Sequence, residues 1–190
     1  MVECPAMNEQ QAQRRFPLGY FVTFTCYGTW LHGDERGSVD PTGRAYGAHL
    51  IPPDPLRSLR DFKQMDQPPY ELDQPRRKVV LRAVQSVCEH RGWVLLAAHV
   101  RTRHVHSVVA AKAAPEQVLN TFKAYSSRAL NLGDFDAKDC KRWTRHGSTR
   151  YLWGSADLLG AIKYVVEDQG EPMEVFRVDD PLKAIGWFKP

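Results

Sequence analysis

The sequence lacks the features that mark secreted, zinc-binding and membrane-spanning proteins. Its 190 residues include four cysteines, which are widely separated and form no CxxC pair. This spacing argues against a disulfide framework and a zinc ribbon, and it suits a reducing compartment. The longest nearly apolar run, WVLLAAHV, is too short to cross a bilayer. We therefore expect a cytoplasmic protein with no membrane partner.

The charge balance permits a nucleic-acid partner without requiring one, because the net charge is +4. The length suits one domain with its own core. We expect a flexible tail at residues 1–17, a single domain at 18–170 with an insertion at about 29–72, and a C-terminal tail at 171–190 whose apolar residues pack back. The insertion is rich in glycine and proline and lacks lasting periodicity, which is typical of a functional loop or of a decorated surface loop.

Periodicity predicts the order strand, helix, strand, strand, helix, strand, followed by one more helix. The strands are predicted at 18–28, 93–101, 104–111 and 150–153, and the helices at 73–91, 115–131 and 156–169. A short basic turn joins the second and third strands into a hairpin. Gly92 ends the first helix and Ser155 caps the last. This order matches an α+β, ferredoxin-like βαββαβ fold, a mostly antiparallel sheet with an added C-terminal helix.

The stretch RTRHVHSVVAA, residues 101–111, has the composition of a buried strand. Side chains two apart on a strand share a face, so His104 and His106 project the same way and Val105 points into the opposite layer. Such a pair could hold one divalent ion, or it could be two histidines satisfied by neighbouring groups. Residues on the last helix favour the first interpretation.

That helix carries a tyrosine on its polar side. On a helical wheel at about 100° per residue, Tyr164 lies almost opposite the apolar stripe, together with Glu167 and Asp168, whereas Gln169 falls among the apolar residues. Tyr125 lies inside the apolar stripe of its own helix. Tyr164 is therefore the candidate nucleophile and Tyr125 a candidate core residue. The alternative for Tyr164 is a half-exposed aromatic without a chemical role.

These residue types suit metal-assisted chemistry on a phosphodiester. Two imidazoles and a carboxylate can bind Mg²⁺, Mn²⁺ or Zn²⁺. Such an ion could bind a phosphate oxygen and orient the phosphodiester for in-line attack. A tyrosine can supply the attacking oxygen and stay covalently attached, so the strand could later be rejoined without nucleotide hydrolysis.

The motif His104-Val105-His106 resembles the His-hydrophobic-His motif of the HUH endonucleases. AIKYVVEDQG, which contains Tyr164, resembles the tyrosine helix of their single-tyrosine transposases, including the REP-associated tyrosine transposases, and KRWTRHGSTRYLW before it is similar to the same group. The resemblance covers residues 18–28 and 75–170. It implies a transposase-type nuclease that nicks single-stranded DNA beside a hairpin and leaves a 5′-phosphotyrosine and a free 3′-OH.

By this resemblance, His104 and His106 are metal ligands, Tyr164 is the nucleophile and the cofactor is Mg²⁺ or Mn²⁺. The family's third ligand is a polar residue about one turn after the tyrosine. That position corresponds to Asp168, with Glu167 beside it and Gln169 one residue later, so the third ligand stays open. Related enzymes can build each site from two chains, so both a monomer and a homodimer stay open.

Basic and aromatic residues near these motifs suit a single strand, because cations meet phosphates while bases stack on rings. The predicted DNA-binding residues are Arg101, Arg103, Lys141, Arg142, Trp143, Arg145, Arg150 and Trp153. The alternative is a solvated loop whose tryptophans pack on the sheet, and we expect one or two of them to do so.

Two other functions remain open. A non-catalytic nucleic-acid module would stack bases on Tyr20, Phe21 or Phe24, although the sequence shows no RNP-like motif. A metal-dependent phosphoesterase would release its product by water attack, and for this the sequence shows no second general base.

Overall fold

The computed structural model describes residues 17–31, 33–34, 38–39 and 50–186. The strands are β1 (Gly19–Thr25), β2 (Ser38–Val39), β3 (Leu50–Ile51), β4 (Val94–Val100), β5 (His104–Ala110), β6 (Ser148–Leu152) and β7 (Glu174–Arg177). The helices are α1 (Pro55–Lys63), α2 (Gln74–Arg91), α3 (Pro115–Leu132), α4 (Ser155–Val166) and α5 (Pro181–Ala184). Apart from Pro17, the predicted N-terminal tail lies outside the described residues, as do Trp187 and Phe188.

The main sheet is antiparallel and has the strand order β6-β1-β5-β4-β7. Strands β6, β1, β5 and β4 have the order and directions expected of the ferredoxin-like arrangement, and the predicted hairpin joins β4 to β5. The predicted α+β fold is therefore confirmed. Strand β7 extends the sheet beside β4, in the segment that was expected to be a tail.

The helices cover both faces of the sheet. On one face, α2 and α3 pack on alternating strand residues that include Val22, Phe24 and Val105. On the other face, α4 packs through Leu158 and Ile162 onto residues such as Val108. Alternation along β5 thus sends Val105 into the α2/α3 layer, as predicted, and leaves the histidines on the face that α4 covers.

Helix ends follow the expected chemistry with one exception. Helix α2 ends at Gly92, which adopts the left-handed conformation with φ 64°. At its start, the Asp73 side chain accepts the Arg76 N–H at 3.0 Å. Helix α4 is capped at Gly154 without a side-chain hydrogen bond, and Ser155 is its first helical residue, so the predicted serine cap was wrong. This helix also ends earlier than predicted, at Val166.

The insertion contains a helix that its composition did not predict. Pro55 opens α1 after Asp54, whose side chain accepts the Arg57 N–H at 3.0 Å. Within the described ranges of the chain, no helix is both long and apolar enough to span a membrane.

Candidate active site

His104 and His106 lie at the start of β5, with ring centroids 4.7 Å apart. Pairing of β5 with β1 sets Thr25 opposite His104 and Thr23 opposite His106. The two-residue spacing on a strand therefore brings both imidazoles to one face, as the sequence predicts.

Three contacts orient the His106 ring. Its Nδ1 forms a 2.7 Å hydrogen bond with Oγ1 of Thr23, and Phe21 stacks on it with 5.6 Å between centroids. The Gln169 side chain lies close to the ring and provides the third contact. Burial, followed by the charge of His104, lowers the pKa of His106 to about 4. At neutral pH the ring is therefore uncharged and has a lone pair that a metal ion can use.

Tyr164 lies on α4 beside this pair. The apolar side of the helix is buried against the sheet, whereas the Tyr164 residue on the other side is 43 % exposed. Its ring stands edge-on to His106, with 5.9 Å between centroids, and edge-on to Phe21 at 5.8 Å. The phenol is therefore both accessible from solvent and adjacent to the His106 imidazole of the same chain. Tyr125, in contrast, packs against the core in the α2/α3 layer, as expected.

The three candidates for a third ligand have different surroundings. The Glu167 carboxylate lies 3.6 Å from Nη1 of Arg177, on the edge strand β7. Asp168 uses its backbone N–H to bond the Tyr164 carbonyl at 3.3 Å. Gln169 donates its Nε2 to that carbonyl at 3.2 Å and also contacts His106. Since the helix ends at residue 166, the wheel position of Gln169 no longer applies, and its side chain reaches the histidine face.

This donor set fits a divalent cation. Imidazole nitrogens and an amide oxygen are accepted ligands of such ions. In the part of the chain that the structure describes, no group of three or more His, Cys, Asp or Glu side chains could hold a metal. Of the three candidates for a third ligand, Gln169 is the one whose side chain comes close to His106. A neutral donor set leaves the charge of the ion available to a phosphate.

Arg142, one of the predicted DNA-binding residues, has a structural role instead. Its side chain is buried, with the residue 3 % exposed, and it donates to Asp136 at 2.9 Å and to Asn131 at 2.8 Å. Asp136 also accepts from Arg76 and Tyr70. The structure thus corrects this prediction, because a buried guanidinium inside an ion-pair network cannot reach a phosphate.

The other predicted cations are at least partly exposed. Arg103 donates to Glu71 at 2.8 Å, Arg101 donates to the Glu171 carbonyl at 3.1 Å, and Lys141 pairs with Asp66. The surface ion pairs of Arg103 and Lys141 are weak, so a phosphate could replace their acidic partners. Arg145 is exposed, and so is Arg150 on β6.

The guanidinium of Arg150 lies 5.8 Å from the centroid of the Phe21 ring. Phe21 itself contacts both His106 and Tyr164. Arg150 therefore brings a positive charge to the histidine face of the sheet.

The two predicted DNA-binding tryptophans lie in different environments. Trp143 packs edge-on to the buried Phe24 at 5.0 Å, and its Nε1 donates to Oγ of Ser127 at 2.9 Å. It is the tryptophan that packs on the sheet, and its assignment to DNA is corrected. Trp153 is 55 % exposed and stacks on Tyr151 with 5.7 Å between centroids and 9° between planes. That pair offers an open aromatic surface at the edge of the sheet.

The base-stacking residues of the non-catalytic alternative are not available. Tyr20 and Phe24 are buried, and Phe21 packs against His106 and Tyr164. This part of the alternative was wrong, because these residues alternate between two faces that are both covered by helices.

Sequence reasoning missed Thr23 and His99. Thr23 lies opposite His106 on β1, and His99 lies opposite His106 on β4. The register between strands identifies both residues, and that register follows from the folded sheet rather than from any local pattern.

Residues 71–158 match the family model described as Transposase IS200 like. The matched segment contains both histidines of the pair and ends before Tyr164. Among solved structures, that of "the REP associates tyrosine transposase bound to a REP hairpin" is similar, with 12 % identity over 99 % of this chain and 76 % of that chain and a TM-score of 0.43. Among curated proteins, no sequence matches this chain significantly.

Proposed function

We propose that this chain, whose residues 71–158 match the IS200-like transposase model, nicks and rejoins single-stranded DNA through Tyr164. The family match bears out the resemblance found in the sequence and supports a transposase-type function on DNA. The observation that supports the finer proposal is the 5.9 Å ring contact between Tyr164 and His106. An exposed phenol beside an imidazole pair suits attack on a phosphodiester at a metal site.

The proposed reaction exchanges a phosphodiester for a phosphotyrosine. Oη of Tyr164 attacks the phosphorus and loses its proton, while the O3′ of the preceding nucleotide leaves and takes up a proton as a 3′-OH. The product is a 5′-phosphotyrosine. Attack by a 3′-OH on that bond reverses the step and joins DNA strands, and the free tyrosine is regenerated without nucleotide hydrolysis.

His104, His106 and Gln169 are the residues we propose to hold a Mg²⁺ or Mn²⁺ ion. When bound, such an ion neutralises charge on the phosphate oxygens. Thr23 and Phe21 keep the His106 ring in place through the hydrogen bond to Nδ1 and the stacking contact. We favour Gln169 over Glu167 and Asp168, since Gln169 is the candidate for which a contact with His106 is seen.

The proposed substrate is single-stranded DNA beside a hairpin, in the cytoplasm. Arg150 carries its charge next to the Phe21 ring on the histidine face, where it could meet a phosphate of the strand. The exposed Tyr151 and Trp153 pair could stack a base at the sheet edge. The remaining cations of the sequence prediction are the half-buried Arg101 and the exposed Arg103, Lys141 and Arg145.

Covalent trapping tests this function. A labelled hairpin oligonucleotide with a single-stranded flank, incubated with Mn²⁺, is expected to give a protein–DNA adduct that survives denaturing electrophoresis. Tyr164→Phe should abolish the adduct and keep DNA affinity within about twofold, because only the attacking oxygen is removed. Tyr125→Phe is the matched control and should still form it. An adduct that persists in Tyr164→Phe would exclude this tyrosine as the nucleophile.

A non-catalytic DNA-binding module is the second candidate, and the exposed Tyr151–Trp153 stack favours it. It predicts that no adduct forms and that DNA affinity is the same with and without Mn²⁺. The trapping experiment separates the two functions.

A further inference from the structure

His99 is a fully buried histidine that the proposed chemistry does not use. It lies on β4 directly opposite His106 and has no measurable exposure. Its Nδ1 is 3.0 Å from the Val165 carbonyl of α4, and the Met173 N–H donates to its Nε2 at 3.2 Å. Both ring nitrogens are therefore satisfied by the backbone.

These two hydrogen bonds define which tautomer the His99 ring adopts. Because Nε2 accepts from an N–H group, the proton of the neutral imidazole must be on Nδ1, which donates to the Val165 carbonyl. That carbonyl is in the last turn of α4, where it has no partner within the helix. Met173 immediately precedes β7. A single side chain thus satisfies two backbone groups, one on each side of the segment 166–172.

That segment carries the residues that the proposed function needs next to Tyr164. Val165 directly follows Tyr164, and Gln169 lies between the two points that His99 holds. Arg101 adds a bond from its Nη1 to the Glu171 carbonyl at 3.1 Å. The end of α4 and its following turn are therefore attached by side chains to the same β4–β5 hairpin that bears His104 and His106.

We propose that His99 is a positioning residue that holds the end of α4, and with it Tyr164 and Gln169, at the histidine pair. The inference rests on the proposed function for the identity of the nucleophile and the ligands. Its physical basis is that an apolar residue of similar size would fill the same space but satisfy neither backbone group, and unpaired buried groups are costly. The end of the helix would then move to find other partners.

Replacing His99 in the full chain tests the proposal. In His99→Phe, we expect the single-turnover rate of adduct formation to fall at least about tenfold, with hairpin-DNA affinity within about twofold, because small displacements of a nucleophile are costly. In His99→Asn, whose side-chain amide can donate where Nδ1 did, we expect part of the rate to return. Thermal melting of each variant shows the folded fraction, and His99→Asn and His99→Gln provide the comparison if the phenylalanine variant does not fold.

Hydrogen exchange gives a readout that does not depend on catalysis. Amides of residues 164–173 should exchange faster in His99→Phe than in the wild type, while those of 115–132 in α3 keep their rates. If the rate of adduct formation and the exchange pattern are both unchanged, His99 is not a positioning residue, although the proposed function stands. If the wild type itself forms no adduct, the proposed function fails, and the exchange data alone decide whether His99 holds this segment.

Discussion

Tyr164 on α4 and His106 on β5 are in ring contact within one chain, with their centroids 5.9 Å apart. The helix that carries the phenol packs on the sheet through Leu158 and Ile162, and β7 continues the chain onto the neighbouring strand β4. The described part of a single chain thus brings together the proposed nucleophile and a proposed ligand.

We predict that the active site assembles in cis. A mixture of Tyr164→Phe with His106→Ala should form no more adduct than either variant alone, because each chain would lack one part of its own site. The measurement is gel quantification of adduct at several mixing ratios. Recovery of about a quarter or more of wild-type adduct would mean instead that α4 reaches the histidines of a partner chain.

Gln169→Ala should weaken Mn²⁺ binding by about tenfold or more, since we propose the amide as the third donor beside the histidines. Glu167→Ala is the matched control and should change the affinity less than about twofold, because its carboxylate faces Arg177. Titration followed by electron paramagnetic resonance measures both constants. If Asp168→Ala strongly weakened Mn²⁺ binding and Gln169→Ala did not, the third ligand would be Asp168 instead.

The metal-free protein should lose stability in mild acid because of His106. Burial, followed by the charge of His104, lowers its pKa from 6.5 to about 4 in the folded state. Between these values the unfolded chain binds a proton that the folded chain does not, so the free energy of unfolding falls as the pH falls, by about 3 kcal/mol at most. Urea titrations at pH 7 and pH 4.5 should show this loss, and His106→Gln should show less of it. Equal losses in both proteins would assign the acid sensitivity to other groups.

Replacing Arg150 should affect DNA binding, whereas replacing Arg142 should affect the stability of the fold. Arg150→Ala should weaken binding of single-stranded DNA and reduce its salt dependence by about 0.7 in the logarithmic slope, as expected when one phosphate contact is lost. Arg142→Ala should instead lower the free energy of unfolding by about 3 kcal/mol, because it leaves Asp136 without one of its partners in a buried ion pair. Filter binding and urea denaturation measure the two effects. If Arg142→Ala weakened DNA binding without a loss of stability, our assignment of its role would be wrong.

Local periodicity was sufficient to predict most of the fold and the centre of the candidate site. The two-residue repeat of a strand places His104 and His106 on one face, and the helical repeat places Tyr164 away from the buried side of α4. The short β7 was missed because four residues, three half-buried and one exposed, carry too weak a pattern. Helix α1 was missed because its glycine- and proline-rich surroundings concealed two and a half turns of helix.

The sequence by itself determined which face of its own strand or helix each reactive side chain occupies, because the backbone geometry of a few neighbouring residues decides this. Only the tertiary structure decided that Arg142 pairs with the buried Asp136, that Gln169 contacts His106 and that His99 bonds to the end of α4. Those contacts join segments far apart in the chain. They form because packing brings specific side chains to otherwise unpaired buried groups, and no local repeat encodes such a pairing.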